Sequence, residues 1–319
     1  MALDHIEAQF EENLTKEAYG LLQDRMDFAV ANGAIPQIFT PVRNGNFKVW
    51  SATDFRRRNS EKRAGGTEFK QVNTHLEDKS YSCQQYGYEE NVDDDEQIDG
   101  HMNALAEVMM EDGLATFDLA LKAKLVAGQF GTDFTGQASG ADYASSQFNK
   151  WSTAGATPIT DIKEMKTRVK AKIGVNPDSL LIGEDVFNAL TENAQILARL
   201  RTDADKEVTT ATLAKFFGLK NVFVIGSAQT TSNQGQATQT TANIISDVAL
   251  LYYRGTGANA VTPSTIKIYC YNKYGSNSAG VFIETYRKPA ITSDCIRVRS
   301  YFDITIQMAE GGLLLTDVI

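Results

Sequence analysis

The sequence predicts an α+β protein organised around one long helix that lies beside one very long strand. Three observations carry this. Apolar residues Met102, Leu105, Met109, Leu114, Phe117, Leu121 and Leu125 recur every three or four positions, with one five-residue step across Gly113. From Ile296 to Met308, apolar Ile296, Val298, Phe302, Ile304, Ile306 and Met308 alternate with Arg297, Arg299, Tyr301, Asp303, Thr305 and Gln307. At about 3.3 Å per residue that run spans about 40 Å, roughly twice an ordinary strand, so it needs an equally long neighbour, which the helix supplies. Between the two, residues 157–255 alternate helical and strand-like segments and read as an α/β module with its own core.

The elements follow in order. Residues 1–30 hold seven carboxylates against Lys16 and Arg25, and Leu14, Ala18, Leu21, Leu22 and Met26 fall at helical spacing, predicting a short amphipathic helix in an N-terminal arm over 1–43. Pro36 and Pro41 keep the segment between them extended. Residues 44–88 predict a long β-hairpin, with arms near Phe47 and Val49 and near Phe69 and Val72, and a charged, glycine-tipped centre from Asp54 to Gly66. Its apolar content is too thin for a core, and an isolated hairpin is marginal in water, so it must lean on something else. The acidic run Glu89 to Asp99 then opens a helix over about 97–127, with Lys122 and Lys124 near its end complementing the macrodipole.

Gly128 to Gly155 reads as linker, so residues 89–156 form one unit with the long helix. In the α/β module, a helix runs through Ile159 to Ile173 with Asp161 and Glu164 spaced as in a capping box. A buried strand at Leu180–Ile182, a helix from Val186 to Leu200, and a helix from Thr210 to Phe217 stopped by Gly218 follow, then a strand at Val222–Ile225. Residues 227–242 are a polar loop. Strands at about 243–253, 266–271 and 281–286 precede the long one, so 256–319 returns to complete both units.

Composition narrows the function. The net charge of −9 repels nucleic acid and anionic membrane except at a local basic patch. The N-terminus lacks a basic and an apolar region, so no secretory signal is expected, and no stretch approaches the roughly 18 apolar residues of a membrane span. Three scattered cysteines, Cys83, Cys270 and Cys295, suit reduced thiols in a cytoplasm. His5, His75 and His101 stand in no catalytic motif, Gly255-Thr256-Gly257 is no phosphate cradle, and no Walker lysine or Cys-x-x-Cys occurs. No catalytic, cofactor-binding or metal-binding residue is assigned; the acidic run lacks the spaced ligands and glycine of a calcium loop. Trp50 and Trp151 read as packing residues.

The order of N-terminal arm, charged hairpin, long helix, inserted α/β module and returning long strand resembles the major capsid proteins of tailed phages with the HK97-type fold. On that resemblance, 44–88 corresponds to the extended E-loop, 97–127 to the spine helix, 157–255 to most of the axial domain and 290–310 to the long peripheral strand. Asn176-Pro177-Asp178-Ser179-Leu180-Leu181-Ile182 followed by a helix is of a kind common there. With about 40 residues before the hairpin, the chain would be a mature form or one with a separate scaffold. The resemblance implies a structural, non-enzymatic protein that assembles with itself in pentamers and hexamers into an icosahedral head. Scaffolding and portal proteins would be partners, packaged DNA would be touched non-specifically, and no membrane is involved. The chain would be assembled in the host cytoplasm and end in the virion. An encapsulin-like shell around cargo enzymes, and a cytoplasmic α/β enzyme, are the alternatives.

Contacts between subunits are expected from charge. The basic hairpin centre Arg56, Arg57, Arg58, Lys62 and Arg63 is opposite in sign to Glu89, Glu90, Asp93, Asp94, Asp95 and Glu96, and pairs with that segment on a neighbouring copy. A solvated loop and a nucleic-acid contact are the other readings of the basic run. Lys79 and Asn91 lie where a cross-link could form, although nothing marks one.

Overall fold

A computed structural model describes residues 9–10, 18, 27–50, 60, 62–63, 65–66, 68–71, 76–94, 101–126, 150–200, 207–233, 238–255, 262–272 and 280–319. In chain order the early elements are β1 (Gln9–Phe10), β2 (Gln37–Thr40), β3 (Asn44–Trp50), β4 (Leu76–Ser82), β5 (Gln84–Asp93) and α1 (His101–Val126). Then come α2 (Pro158–Ile173), β6 (Ser179–Gly183), α3 (Glu184–Glu192), α4 (Ala194–Leu200), α5 (Thr210–Phe217) and β7 (Asn221–Ile225). The chain ends with β8 (Ala228–Thr230), β9 (Thr241–Asn243), β10 (Val248–Tyr252), β11 (Ile266–Tyr271), β12 (Val281–Lys288), β13 (Ser293–Ile306) and β14 (Gly312–Thr316).

The alternation that predicts a long strand produces one of 14 residues, β13, and it organises the first layer. One edge of β13 carries β5, antiparallel from Ser293 to Phe302. The other edge is shared end to end by two antiparallel strands, β12 over Ser293–Ser300 and β11 over Phe302–Ile306. β1 extends the sheet beyond β12, and β2 runs parallel beyond β11. The long strand therefore finds long partners within its own sheet as well as in the helix. Its apolar face, Ile296, Val298, Phe302 and Ile304, is buried under α1 with Met109, Leu114, Phe117, Leu121 and Leu125. Phe117 stacks on Phe302 with ring centroids 3.9 Å apart. The helix runs unbroken through Gly113, where no bend is needed. A Cβ there would come 2.7 Å from Val281 Cγ1, so the glycine marks where the helix settles closest on β12.

The second sheet has the order β14-β10-β6-β7, with β6 and β7 parallel and the other pairs antiparallel. β6 and β10 are buried at every residue, so they read as continuous apolar runs with no alternation. Alternate side chains nevertheless go to different places. Leu181, Leu250 and Leu314 join the core under α1, while Leu180, Ile182, Leu251, Leu313 and Leu315 join a second core with α2, α3, α4 and α5. The module inserted in the sequence shares its central sheet with the first core. Leu313-Leu314-Leu315, for which apolar periodicity predicts no element, lies in β14 at the edge of that sheet.

Several expectations are corrected. The predicted hairpin 44–88 ends at Ser82: β3 pairs β4 from Asn44↔Ser82 to Trp50↔Leu76, and after Cys83 the chain enters the long sheet as β5. Phe69 lies in no strand and is 78% exposed. Residues 89–93, expected at a helix start, belong to β5, because Tyr86, Tyr88 and Val92 follow a two-residue period and basic residues of the neighbouring strands meet the acids. Asp161 and Glu164 form no capping box: Thr157 precedes α2 without a side-chain cap and Pro158 opens it. Asp161 instead accepts from Trp151 Nε1 at 3.0 Å, and Glu164 pairs with Arg168. The helix expected over 186–200 is two helices, α3 and α4, parted at Asn193, whose extended backbone frees its Oδ1 to accept from Gln195 N. The polar stretch 227–242 holds the small ribbon β8–β9. Of the N-terminal helix, Ala18 is described and is helical and buried; the other positions named for it lie outside the described residues.

Candidate assembly surface

The polar face of the long sheet is where the predicted acidic and basic residues meet. In β5 the residues Gln85, Gly87, Glu89, Asn91 and Asp93 stand opposite Tyr301, Arg299, Arg297, Cys295 and Ser293 of β13, and β12 places Glu284, Tyr286 and Lys288 on the far side. Three strands thus bring distant charges into one ladder. Glu89 Oε2 accepts from Arg297 Nη2 at 2.6 Å and from the Tyr286 hydroxyl at 2.9 Å. Its Oε1 accepts from Lys288 Nζ at 2.9 Å, and Lys288 also donates to Asn91 Oδ1 at 3.0 Å. Hydrogen bonds from Lys288, then Arg297 and Tyr286, hold the Glu89 carboxyl down to about 2. Asp94 is clasped by both terminal nitrogens of Arg287, which also reaches Asp294 at 3.0 Å. Below them Glu284 is buried, with Arg299 at 3.3 Å and Arg297 at 3.8 Å.

One position on β5 is fixed as glycine, by its φ of 156° and by space. A Cβ on Gly87 would lie 2.2 Å from Val298 O of the adjoining strand, so no side chain fits without displacing backbone.

The hairpin stands on the same face at the β11 end. Phe47, Val49 and Cys83 are buried with Ile38, Tyr269, Phe282 and Tyr301 in a small third cluster. Tyr81 stacks flat on Tyr269 at 4.5 Å. Lys79 Nζ donates to Ile306 O and Gln307 O, and Ser82 N to Asp303 Oδ2. The hairpin leans on its own sheet through aromatic stacking and end-of-strand hydrogen bonds, as its thin apolar content requires.

The candidate contact residues therefore divide. Glu89 and Asp94 are engaged within the chain by Lys288, Arg297 and Arg287. Glu90 and Asp93 are exposed on β5. Lys62 and Arg63 are exposed, with the Arg63 guanidinium 4.2 Å above the Phe69 ring. Arg56, Arg57, Arg58, Asp95 and Glu96 lie outside the described residues. The intrachain partners were missed because Arg287 and Lys288 are almost 200 positions from the acids; the alternating Arg297 and Arg299 were the available signal. Among the described residues no group of three or more His, Cys, Asp or Glu could hold a metal ion. The three thiols are buried, and burial pushes Cys83 up to about 11.

Comparison with known proteins agrees with this architecture. A model of the family described as phage major capsid protein E matches residues 139–285. The major capsid protein of Burkholderia phage BcepMu is 27% identical over 75 residues, which cover 24% of this chain and 24% of that protein. The match thus spans about a quarter of that relative's length. Among solved structures, a phage-related protein of Bordetella bronchiseptica RB50 superposes with a TM-score of 0.64 at 17% identity, covering 98% of each chain. A capsid structure of cyanophage P-SCSP1u superposes with a TM-score of 0.54 at 9% identity, covering 88% of this chain and 86% of that one. The fold of the chain is the HK97-type capsid fold, and its residues 139–285 match the phage major capsid protein E family.

Proposed function

We propose that the chain is the major capsid protein of a tailed phage, a shell subunit that assembles with copies of itself in pentamers and hexamers around double-stranded DNA. The observation that carries this reading is the match of 139–285 to a capsid protein family, set within a fold that 88% of the chain shares with a phage capsid structure. The geometry supports it. A 14-residue strand and a 26-residue helix pack along one another, and the β3–β4 hairpin rests on the opposite face of the sheet through a cluster of seven buried residues. Weak contacts repeated over a closed shell sum to a stable object, so no single strong interface is required. The role is structural and not catalytic. Assembly in the host cytoplasm, with scaffolding and portal proteins as partners, completes the reading, and the virion is the final location. The chain's net charge of −9 limits its dealings with packaged DNA to non-specific contact.

Within this function, the basic hairpin centre meets a neighbouring copy. Arg56, Arg57, Arg58, Lys62 and Arg63 are the cationic side. Their acidic counterpart is the segment of Glu89, Glu90, Asp93, Asp94, Asp95 and Glu96, of which Glu89 and Asp94 also have basic partners within the chain. Exposed pairs are worth about 0–1 kcal/mol each, so they set register and add up by repetition. Reversing Arg56–Arg58 to glutamate abolishes assembly on this account; intact shells from that variant at moderate salt would overturn it.

The function is tested by negative-stain electron microscopy with light scattering on the same purified sample. Uniform closed shells, or rings of five or six subunits, are expected. A monodisperse monomer or dimer across salt and concentration, even with a scaffold co-expressed, refutes the reading. Shells filled with cargo protein in place of DNA assign the chain to a nanocompartment instead.

A further inference from the structure

The helix α1 is apolar on two sides. Its inner stripe, Met109, Leu114, Phe117, Leu121 and Leu125, is buried in the first core. A second stripe faces out, with Val108 60% exposed and Leu119 40% exposed. Val108, Ala115 and Leu119 stand at i, i+7 and i+11, and Glu111 and Asp112 at i+3 and i+4 share that face. Eleven residues at 1.5 Å rise make the stripe about 16 Å long, three helical turns. It forms one wall of an open groove of about 790 Å³; Phe28, Ile244 and residues 226–230 form the other side, and Asp27 adds a third carboxylate. An amphipathic helix needs one apolar stripe to hold it on its core, so a second exposed stripe calls for a second partner.

Charge says what kind. Asp27, Glu111 and Asp112 line the groove with no basic residue among its lining residues. Asp112 is exposed on the outer side of α1, partial desolvation raises its carboxyl, and among the described residues no cation pairs with it. A cation brought to that carboxylate offsets a desolvation cost already incurred. Nucleic acid is excluded by the same charges. Among the described residues the chain offers no such helix of its own: the lysine- and arginine-rich α2 buries its apolar face in the second core. We propose that this groove receives an amphipathic helix of about three turns from another protein, with an apolar face on Val108, Ala115 and Leu119 and lysine or arginine against Asp27, Glu111 and Asp112. The inference stands on the groove itself, whether or not the chain builds shells.

The test uses the whole chain and a fluorescein-labelled peptide of about 14 residues, with leucines on one helical face and lysines on the other, followed by anisotropy at physiological salt. Saturable binding is expected, weakened about tenfold by Asp112→Asn and at least as much by Val108→Ser with Leu119→Ser. Glu192→Gln, which removes one exposed negative charge outside the groove, leaves affinity unchanged. The same peptide with glutamates for lysines does not bind. Absence of binding, equal affinity for the Asp112→Asn and Glu192→Gln proteins, or binding indifferent to the loss of Val108 and Leu119 refutes the proposal. A peptide of residues 53–66 that binds the groove as tightly also refutes it, by assigning the groove to a second copy. Shells seen by microscopy without peptide binding would sink this inference alone.

Discussion

Replacing Asp118 by asparagine should stabilise the protein at high pH and leave it unchanged in acid. Asp118 lies on α1 and is fully buried; its Oδ1 accepts from Ala29 N at 3.1 Å, tying the 27–35 segment to the helix. Ser227 sits beside the carboxylate, yet neither Asp118 Oδ2 nor Ser227 Oγ makes a well-formed hydrogen bond. Burial pushes the carboxyl up to about 7, against two weaker effects, the nearby Ser227 hydroxyl and the Ala29 amide, that pull it down. An unfolded aspartate titrates near 3.9. Between those values the folded chain holds a proton that the unfolded chain has released. The contribution of Asp118 to stability is therefore greatest below about pH 4, falls as pH rises to about 7, and is level above. A shift of about three units corresponds to about 4 kcal/mol at pH 8. Asparagine keeps the acceptor for Ala29 and offers Ser227 a donor without the charge. In urea unfolding, with an m of about 3 kcal/mol/M, the variant's midpoint should exceed the wild type's by about 1 M at pH 8 and coincide with it near pH 4. Burial also raises Asp112 and Asp247, but both proteins carry them and they cancel in the difference. A difference independent of pH, or a variant weaker at pH 8, would show that Asp118 does not hold its proton and would refute the reasoning.

Three further outcomes follow from named contacts. Gly87→Ala should lower stability by about 1–3 kcal/mol and loosen β5, seen as faster amide exchange along Tyr86–Glu90, because the new Cβ would meet Val298 O and backbone must move. Exchange as slow as in the wild type would contradict it. Glu89 is held well below its unfolded value, so its contribution is present above about pH 4.5 and is lost as pH falls towards 2; Glu89→Gln should flatten the acid limb of the stability profile in that window, and an unchanged limb would show the ladder to be inert. Cys83, Cys270 and Cys295 should react with a thiol reagent at pH 8 only after urea is added, since all three are buried and burial raises Cys83 and Cys270; rapid reaction of the native chain would contradict that burial.

The elements read most surely in the sequence were those whose periodicity ran long and whose two faces differ. β13 alternates because one face meets α1 and the other meets Glu89, Tyr286 and Lys288. α1 shows its inner stripe for the same reason, and its one irregular step at Gly113 records a contact with Val281 that no pattern within the helix could reveal. β6 and β10 lack alternation because both faces are buried, so the sequence hides the fact that they serve two cores. The acidic run looked like a helix start because its partners, Arg287, Lys288 and Arg297, are remote in sequence and adjacent across two strands. Of the candidate contact residues, chemistry and sign were legible, whereas the intrachain pairing of Glu89 and Asp94 was not. Asn193 broke an apparently continuous helix through a backbone conformation that leaves no trace in apolar spacing. Val108 and Leu119 lie off the inner stripe, and apolar spacing alone does not separate a second face from a broad first one.

The three clusters hold the parts of the fold with unequal stiffness. Leu181, Leu250 and Leu314 point into one core while their neighbours Leu180, Leu251 and Leu313 point into the other, so the two cores share a wall only one strand thick. Rotating one core against the other would expose both faces of that wall, at about 25 cal/mol per Å² of apolar surface, and close packing gives no intermediate position. The cores must therefore move together. The hairpin is tied differently: seven buried residues, stacked tyrosine rings and the Lys79 hydrogen bonds to Ile306 and Gln307 hold its root, with neither large core involved. Stacked rings and ammonium–carbonyl contacts tolerate small sliding that interdigitated leucines do not. If the chain builds a shell as proposed, strain imposed by a neighbouring copy is accordingly taken up first at the β3–β4 root, before the packing of α1 on β13 or of the module above it changes.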